Sequence, residues 1–333
     1  EFEMPDEMFF YEPNPVELSS DEEERMNKIL EKDPYISLHE HPFMWPKNMN
    51  EVFDYASEGR CRTAFKWLAE SYYDAIFDNL LDGVATVTSK RGWKWNDVIY
   101  DLGMRMCDIA HSNFLIHGKT VDDIKTAHDE GKIAIIPTLE SSMPIENEVD
   151  RIDILHGLGV RMMGIVYSES NSLATGLKED KDGGLTYFGQ AAVERMNKVG
   201  MAIDVSHASD QTCLDVFETS DKPIFITHAG ARALWDSKRL KPNNVLKACA
   251  ENGGVIGIEA APHTTVTEDI QEHSIDSFME HFEYVVDLVG IDHVTFGPDT
   301  LYGDHVGLHD VVSDFLAVKS SMGKKGEEPF EVD

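Results

Sequence analysis

The stretch AAVERMNKVGMAIDVSHASDQTCLDVFETSDKPIFITH, residues 191–228, holds the same unit twice. Residues 191–199 read as an amphipathic helix, Gly200 stops it, and the short apolar run 201–205 follows at once as a strand. Residues 211–219 repeat the helix and 224–227 repeat the strand. A helix that ends on glycine and passes directly into a short buried strand is the αβ step of a parallel sheet. Just past each strand, or at its end, stands one histidine: His207 and His228.

Outward from this stretch the rhythm continues. It predicts strands at 35–38, 84–87, 133–139, 160–166, 201–205, 224–227, 255–258 and 294–296, with further helices at 243–252 and 275–289. Gly131, Gly159, Gly200, Gly253 and Gly290 stand where helices end before strands, as C′ glycines do. Eight such units predict an α/β fold, a (β/α)₈ TIM barrel. A doubly wound open sheet is the alternative, but it would carry a Gly-rich phosphate loop after an early strand, and neither GxGxxG nor GxxxxGK[ST] occurs. The second strand is the least well marked, because residues 45–120 are rich in aromatics and hard to phase. Residues 1–35 form a polar, acidic N-terminal extension in which Ser20-Asp21-Glu22-Glu23 reads as a capping box. Residues 36–333 form the single barrel domain. The polar run 171–184 would lie over the barrel mouth after the fourth strand, in the place of a lid. The tail 320–333 reads as an exposed end, with 308–322 the remaining candidate helix.

Composition narrows the function. Of 333 residues, 61 are acidic and 29 basic, a formal charge of −32. A surface so negative repels phosphate, so nucleic acid is excluded as a partner and an anionic membrane is disfavoured. No apolar run reaches the ~18 residues of a membrane span. The four cysteines, Cys61, Cys107, Cys213 and Cys249, are far apart with no CxxC. This argues against a disulfide framework or a cysteine zinc site and fits a reducing cytoplasm. A first residue other than Met leaves room for a removed leader. The acidity suits either a self-repelling soluble protein, with a homodimer among the arrangements open to it, or a salt-adapted host. The 19 Lys to 10 Arg weigh against the second.

Chemistry concentrates at strand ends. In Ser37-Leu38-His39-Glu40-His41-Pro42 the two histidines are two residues apart, so in a strand both rings share a face. Glu140 ends the apolar run IAIIPTLE, where a carboxylate is either a ligand or the first exposed residue of a loop. His207 and His228 end the fifth and sixth strands, and Asp299 ends the eighth in VTFGPD. In a barrel all of these open onto one face, the C-terminal one that carries catalytic groups. Four imidazoles and two carboxylates suit a pair of borderline divalent ions. Zn²⁺ is the default, and Mn²⁺, Co²⁺, Ni²⁺ and Fe²⁺ accept the same donors.

The sequence resembles the renal (membrane) dipeptidase family, peptidase family M19, of the amidohydrolase superfamily. The resemblance rests on GLTYFGQAAVERMNKVGMAIDVSHAS (184–209), PIFITHAGAR (223–232), NNVLKACAENGGVIGI (243–258) and VTFGPD (294–299), and spans roughly 36–300. It implies that Glu140 bridges two zinc ions, that His39 and His41 complete one site, and that His207 and His228 complete the other. It implies that Asp299 holds and deprotonates the bridging water and that Arg239 clamps a substrate carboxylate, a task that suits a planar guanidinium. From the local sequence alone, Arg239 reads as a solvated surface charge. Two departures stand out. The family usually has His-x-Asp where this chain has His39-Glu40-His41, and a histidine near the metals where it has Tyr167, a phenol that can still donate to an oxyanion. The family also generally continues past the eighth strand with more helix than this chain offers. The activity implied is hydrolysis of a small amide carrying a carboxylate, a dipeptide or an N-acyl amino acid. The departures leave open a non-peptide amide, cyclic amide or lactone. A non-catalytic barrel is the reading from another class, and the cost of so charged a cluster weighs against it.

Overall fold

The structure, a computed structural model, describes residues 2–6, 16–58, 61–80, 94–261 and 264–302. Ten strands occur among them: β1 (Ile36–Met44), β2 (Ala75–Asn79), β3 (Leu115–His117), β4 (Ile133–Leu139), β5 (Met162–Gly164), β6 (Ala202–Asp204), β7 (Phe225–Ala229), β8 (Val255–Ile258), β9 (Val294–Phe296) and β10 (Thr300–Tyr302). They form one sheet in the order β10-β1-β2-β4-β5-β6-β7-β8-β9, all pairs parallel, with β3 alongside β4 off this path. β9 and β10 are halves of one interrupted strand, the first paired to β8 and the second to β1. That strand joins the two ends of the sheet, which curls into the eight-stranded parallel barrel that the sequence predicts.

The predicted strands at 133–139, 255–258 and 294–296 and the helix Ile275–Val289 have the expected bounds, and the other predicted strands and helices that fall on described residues overlap observed ones. All five expected C′ glycines have positive φ, from 62° at Gly131 to 108° at Gly159. The expected strand at 84–87 lies outside the described residues, as do the candidate helix 308–322 and the tail. The second barrel strand is β2, which the aromatic region concealed. The N-terminal helix, Ser20–Lys32, is capped one residue earlier than expected: Ser19 accepts from the Glu22 N–H and the Glu22 carboxylate accepts from the Ser19 N–H. Two adjacent serines each have an acid three residues on, and the extended backbone at Ser19 decides between them. Residues 171–184 are anchored against the barrel. Leu173 to Leu177 are buried, and the Leu177 N–H donates to the His207 carbonyl at 3.1 Å.

The main core lies between sheet and helices. Val193 and Met196 (helix Tyr187–Val199), Cys213 and Val216 (Asp210–Thr219), and Val245, Leu246 and Cys249 (Asn243–Glu251) pack with Ile203, Ile226 and Ile256 of the strands. Charge is buried here too. Arg105, on helix Trp95–His111, bonds Asp101 one turn earlier at 3.0 Å and Asp78 on β2, and all three are buried.

At the other end of β2 an ion pair ties helix Val121–Glu130 to the barrel. His128 Nδ1 lies 3.1 Å from Asp74 Oδ2, which also accepts the Tyr35 N–H at 2.8 Å. The bond to Asp74 raises the His128 pKa above 6.5. The folded-state value is above the unfolded one, so this stabilisation is complete below the unfolded pKa and is lost as pH rises through the folded value. Between about pH 5.5 and about pH 8.5, the urea midpoint of wild type is expected to fall more than that of His128→Asn. Parallel falls in both would contradict the pairing.

Candidate metal centre

The period-2 geometry of β1 turns His39 and His41 to one side and Glu40 to the other. Glu40 lies buried between β1 and its surroundings, where Ser37 Oγ donates to it at 2.8 Å and burial pushes its carboxyl up to about 8. His39 and His41 meet at Nε2, 3.1 Å apart. Glu140 follows β4, and Gly164 on β5 makes its position possible: a Cβ there would overlap the Glu140 carbonyl. Gly164→Ala is therefore expected to cost roughly 1–3 kcal/mol and to weaken metal retention, read by denaturation and by metal analysis of the same protein. Unchanged values in both would contradict it.

His207 and His228 bring their Nε2 atoms to 3.1 Å from each other, and Glu140 Oε1 lies 2.8 Å from the first and 3.3 Å from the second. The same carboxylate reaches the other pair, Oε1 to His39 Nε2 at 3.6 Å and Oε2 to His41 Nε2 at 3.8 Å. Asp299 Oδ1 lies 3.3 Å from His39 Nε2 and 3.2 Å from His41 Nε2. Three overlapping donor groups result: His39-His41-Glu140, Glu140-His207-His228 and His39-His228-Asp299. All six residues that the sequence singles out as ligands thus converge at one end of the barrel.

The donor set fits divalent metal. Two ligands each about 2.1 Å from one tetrahedral ion stand roughly 3.4 Å apart, close to the spacings here. Burial lowers the pKa of His39, His207 and His228, the last two well below the ordinary value, which favours the neutral ring that a ligand needs. In each pair the two Nε2 atoms stand 3.1 Å apart, which calls for a cation or a proton between them. The outer nitrogens of two rings meet hydroxyl oxygens, His207 Nδ1 at Ser168 Oγ (3.1 Å) and His228 Nδ1 at Thr227 Oγ1 (2.8 Å), whereas His39 Nδ1 faces the Asn79 amide nitrogen, a donor, at 2.7 Å.

Asp299 is the one ligand candidate with appreciable exposure, 24 % of its side chain. Burial raises its pKa, but hydrogen bonds from His39 and His41 and the charge of His39 and His228 outweigh this and hold it well below the usual carboxylate range. Its φ of 61° places it in the left-handed region at the break between β9 and β10, a conformation that Asp tolerates better than most residues. Tyr167 stacks on His207 with ring centroids 4.1 Å apart. Arg239 is no surface charge: it is buried, with Nη1 donating to the His228 carbonyl at 2.9 Å and Nη2 in an ion pair with Glu259 Oε2 at 2.6 Å. Glu259, also buried, stands directly after β8, just as Glu140 stands after β4. The feature that marks Glu140, a carboxylate directly after an apolar strand, marks Glu259 in VIGIE as well.

The profile of membrane dipeptidases (peptidase family M19) matches residues 23–319. The chain belongs to the membrane dipeptidase family. Among curated proteins of this kind it is similar to dipeptidase aclJ of Aspergillus oryzae, 31% identical over 205 residues, which are 60% of this chain and 49% of that one. It is likewise similar to dipeptidase tcpJ of Claviceps purpurea, 28% identical over 68% of this chain and 53% of that one. The chain thus spans about half the length of these relatives. Solved structures share the fold. An amidohydrolase from Pseudomonas aeruginosa has a TM-score of 0.68 at 22% identity, covering 92% of this chain and 86% of that one. A metallopeptidase from Rhodobacter sphaeroides, liganded with a phosphinate mimic of L-Ala-D-Ala, has a TM-score of 0.66 at 18% identity, covering 89% and 95%. Membership of this family implies a divalent metal, and the donor groups above are able to hold one.

Proposed function

We propose that the chain is a metal-dependent hydrolase of small amides, a dipeptide or an N-acyl amino acid, with two divalent ions, Zn²⁺ by default, held by His39, His41, Glu140, His207, His228 and Asp299. The observation that carries this is the convergence of four imidazole Nε2 atoms on the Glu140 carboxylate, which touches both histidine pairs. Ions bound there supply Lewis acidity, polarising the scissile carbonyl and lowering the pKa of water from ~15.7 toward about 7. The chain's own groups do the rest. Asp299, kept ionised by His39 and His41, accepts the proton of the attacking water and returns it to the leaving amine. Tyr167, beside His207, donates to the carbonyl oxygen as charge develops on it. Arg239 receives the substrate carboxylate. The relatives are named dipeptidases, and the liganded metallopeptidase holds a dipeptide mimic, which supports the substrate class.

One observation favours a second reading, a non-peptide amide or lactone without a carboxylate. Arg239 is already engaged by Glu259, so a substrate carboxylate must compete for it. The test is turnover of dipeptides, N-acyl amino acids, uncharged amides and lactones side by side. The first reading expects kcat/KM highest for substrates with a free carboxylate. A preference for uncharged amides or lactones would establish the second.

A further inference from the structure

Thr227, which meets His228 Nδ1, and Asp204 beside it lie beneath the histidines, away from the substrate side. Asp204, the last residue of β6, is buried and meets four donors. Its Oδ1 accepts from Ser206 Oγ at 2.6 Å and from the backbone N–H groups of Ser206 and Thr227 at 3.0 Å each. Its Oδ2 accepts from Thr227 Oγ1 at 2.9 Å. A carboxylate oxygen can only accept, so the 2.9 Å contact to Oδ2 takes the Thr227 hydroxyl proton. The remaining lone pairs of that hydroxyl face His228 Nδ1 at 2.8 Å and, at the longer distance of 3.4 Å, His39 Nδ1. A hydroxyl whose proton is already committed can only accept there. His228 must then carry its proton on Nδ1, which leaves the Nε2 lone pair facing Glu140 and His207.

We propose that Asp204 and Thr227 form a positioning relay that commits His228 to its metal-binding tautomer and ties the strand leading to His207 to the strand that carries His228. The proposal rests on the metal-centre reading above. Ser206 completes the tie: its hydroxyl donates to Asp204 and accepts the His228 N–H at 3.2 Å. The relay is dry, with Asp204, Ser206, Thr227 and His228 all buried, so water does not replace a missing hydroxyl without a cavity to hold it.

The test is zinc affinity, by competition with a chelating indicator, for wild type, Thr227→Val, Thr227→Ser and Asp204→Asn, each checked for folding by its urea midpoint. Thr227→Val keeps the side-chain volume and removes the acceptor; it is expected to bind zinc about 10–100-fold more weakly. Thr227→Ser restores the hydroxyl and is expected to restore affinity. Asp204→Asn turns an amide N–H₂ toward one of the four donors and is expected to weaken binding as Thr227→Val does. Should Thr227→Val fail to fold, Thr227→Ala serves in its place. Wild-type affinity in Thr227→Val, or Thr227→Ser as weak as Thr227→Val, would overturn the relay while leaving the metal centre standing. A wild-type protein that takes up no zinc would overturn the metal centre itself.

Discussion

Asp299→Asn is expected to lower kcat for dipeptide cleavage by about 10² to 10⁴-fold, the range over which a positioned general base contributes, while the protein stays folded. The amide keeps an oxygen in the same place and nearly the same shape, so the metal content is expected to persist. What it removes is the ability to take a proton. The wild-type carboxylate is ionised and open to a proton because, although burial favours its neutral form, hydrogen bonds from His39 and His41 more than reverse this. Its backbone is fixed in the left-handed region between two strand halves, with its N–H directed at the His39 carbonyl at 3.3 Å, so the oxygen is delivered to one point. Steady-state kinetics with metal analysis on the same preparation checks this. A kcat close to wild type with full metal content would remove Asp299 from the role of base and leave it as a ligand only.

Arg105→Leu is expected to destabilise the fold by about 3–5 kcal/mol, the usual cost of removing one partner from a buried ion network. Asp78 and Asp101 would then face each other in the interior without a cation. The loss is not the worth of the network itself, because replacing all its members by apolar groups of like volume is often neutral. Adding Asp78→Asn and Asp101→Asn to Arg105→Leu is accordingly expected to recover much of the loss. Urea denaturation of the single and triple variants decides it. A single variant within about 1 kcal/mol of wild type would mean that water reaches the triad. Asp78 immediately precedes Asn79, whose amide holds His39, so the same network keeps the β2 end of the metal centre in place.

The barrel was readable because its cues are local. A glycine that ends a helix needs only its own φ, and a buried parallel strand shows as a continuous apolar run, as 133–139 and 255–258 do. The ligands were readable for a related reason: His39 and His41 share a face by strand period alone, and Glu140, His207, His228 and Asp299 each stand at or just past the end of an apolar run. β2 was hidden because its sequence, AIFDN, carries two polar residues, Asp78 and Asn79, that are made acceptable by Arg105 and His39, distant in sequence. The local sequence alone reads Arg239 as a surface charge for the same reason, since the group that permits its burial, Glu259, lies on another strand end. Thr227 and Asp204 have no signature of their own. A threonine in an apolar strand looks like any other β-branched residue until the fold sets a histidine on one side of its hydroxyl and a carboxylate on the other.

The charge of −32 takes on a sharper meaning beside this site. The interior acids Glu40, Asp78, Asp101, Glu140, Asp204 and Glu259 each have bonding partners or a place at the centre, and few others among the described residues are buried. Among the described residues the excess therefore belongs to the solvent-facing shell.

The central claim is that four imidazoles and two carboxylates form a binuclear metal centre that hydrolyses amides. The most direct test is metal analysis of the purified protein paired with amide hydrolysis before chelation, after chelation and after zinc is returned. Two equivalents of divalent metal per chain, loss of cleavage on chelation and its return with zinc are expected. Less than one equivalent, or cleavage indifferent to complete metal removal, would contradict it.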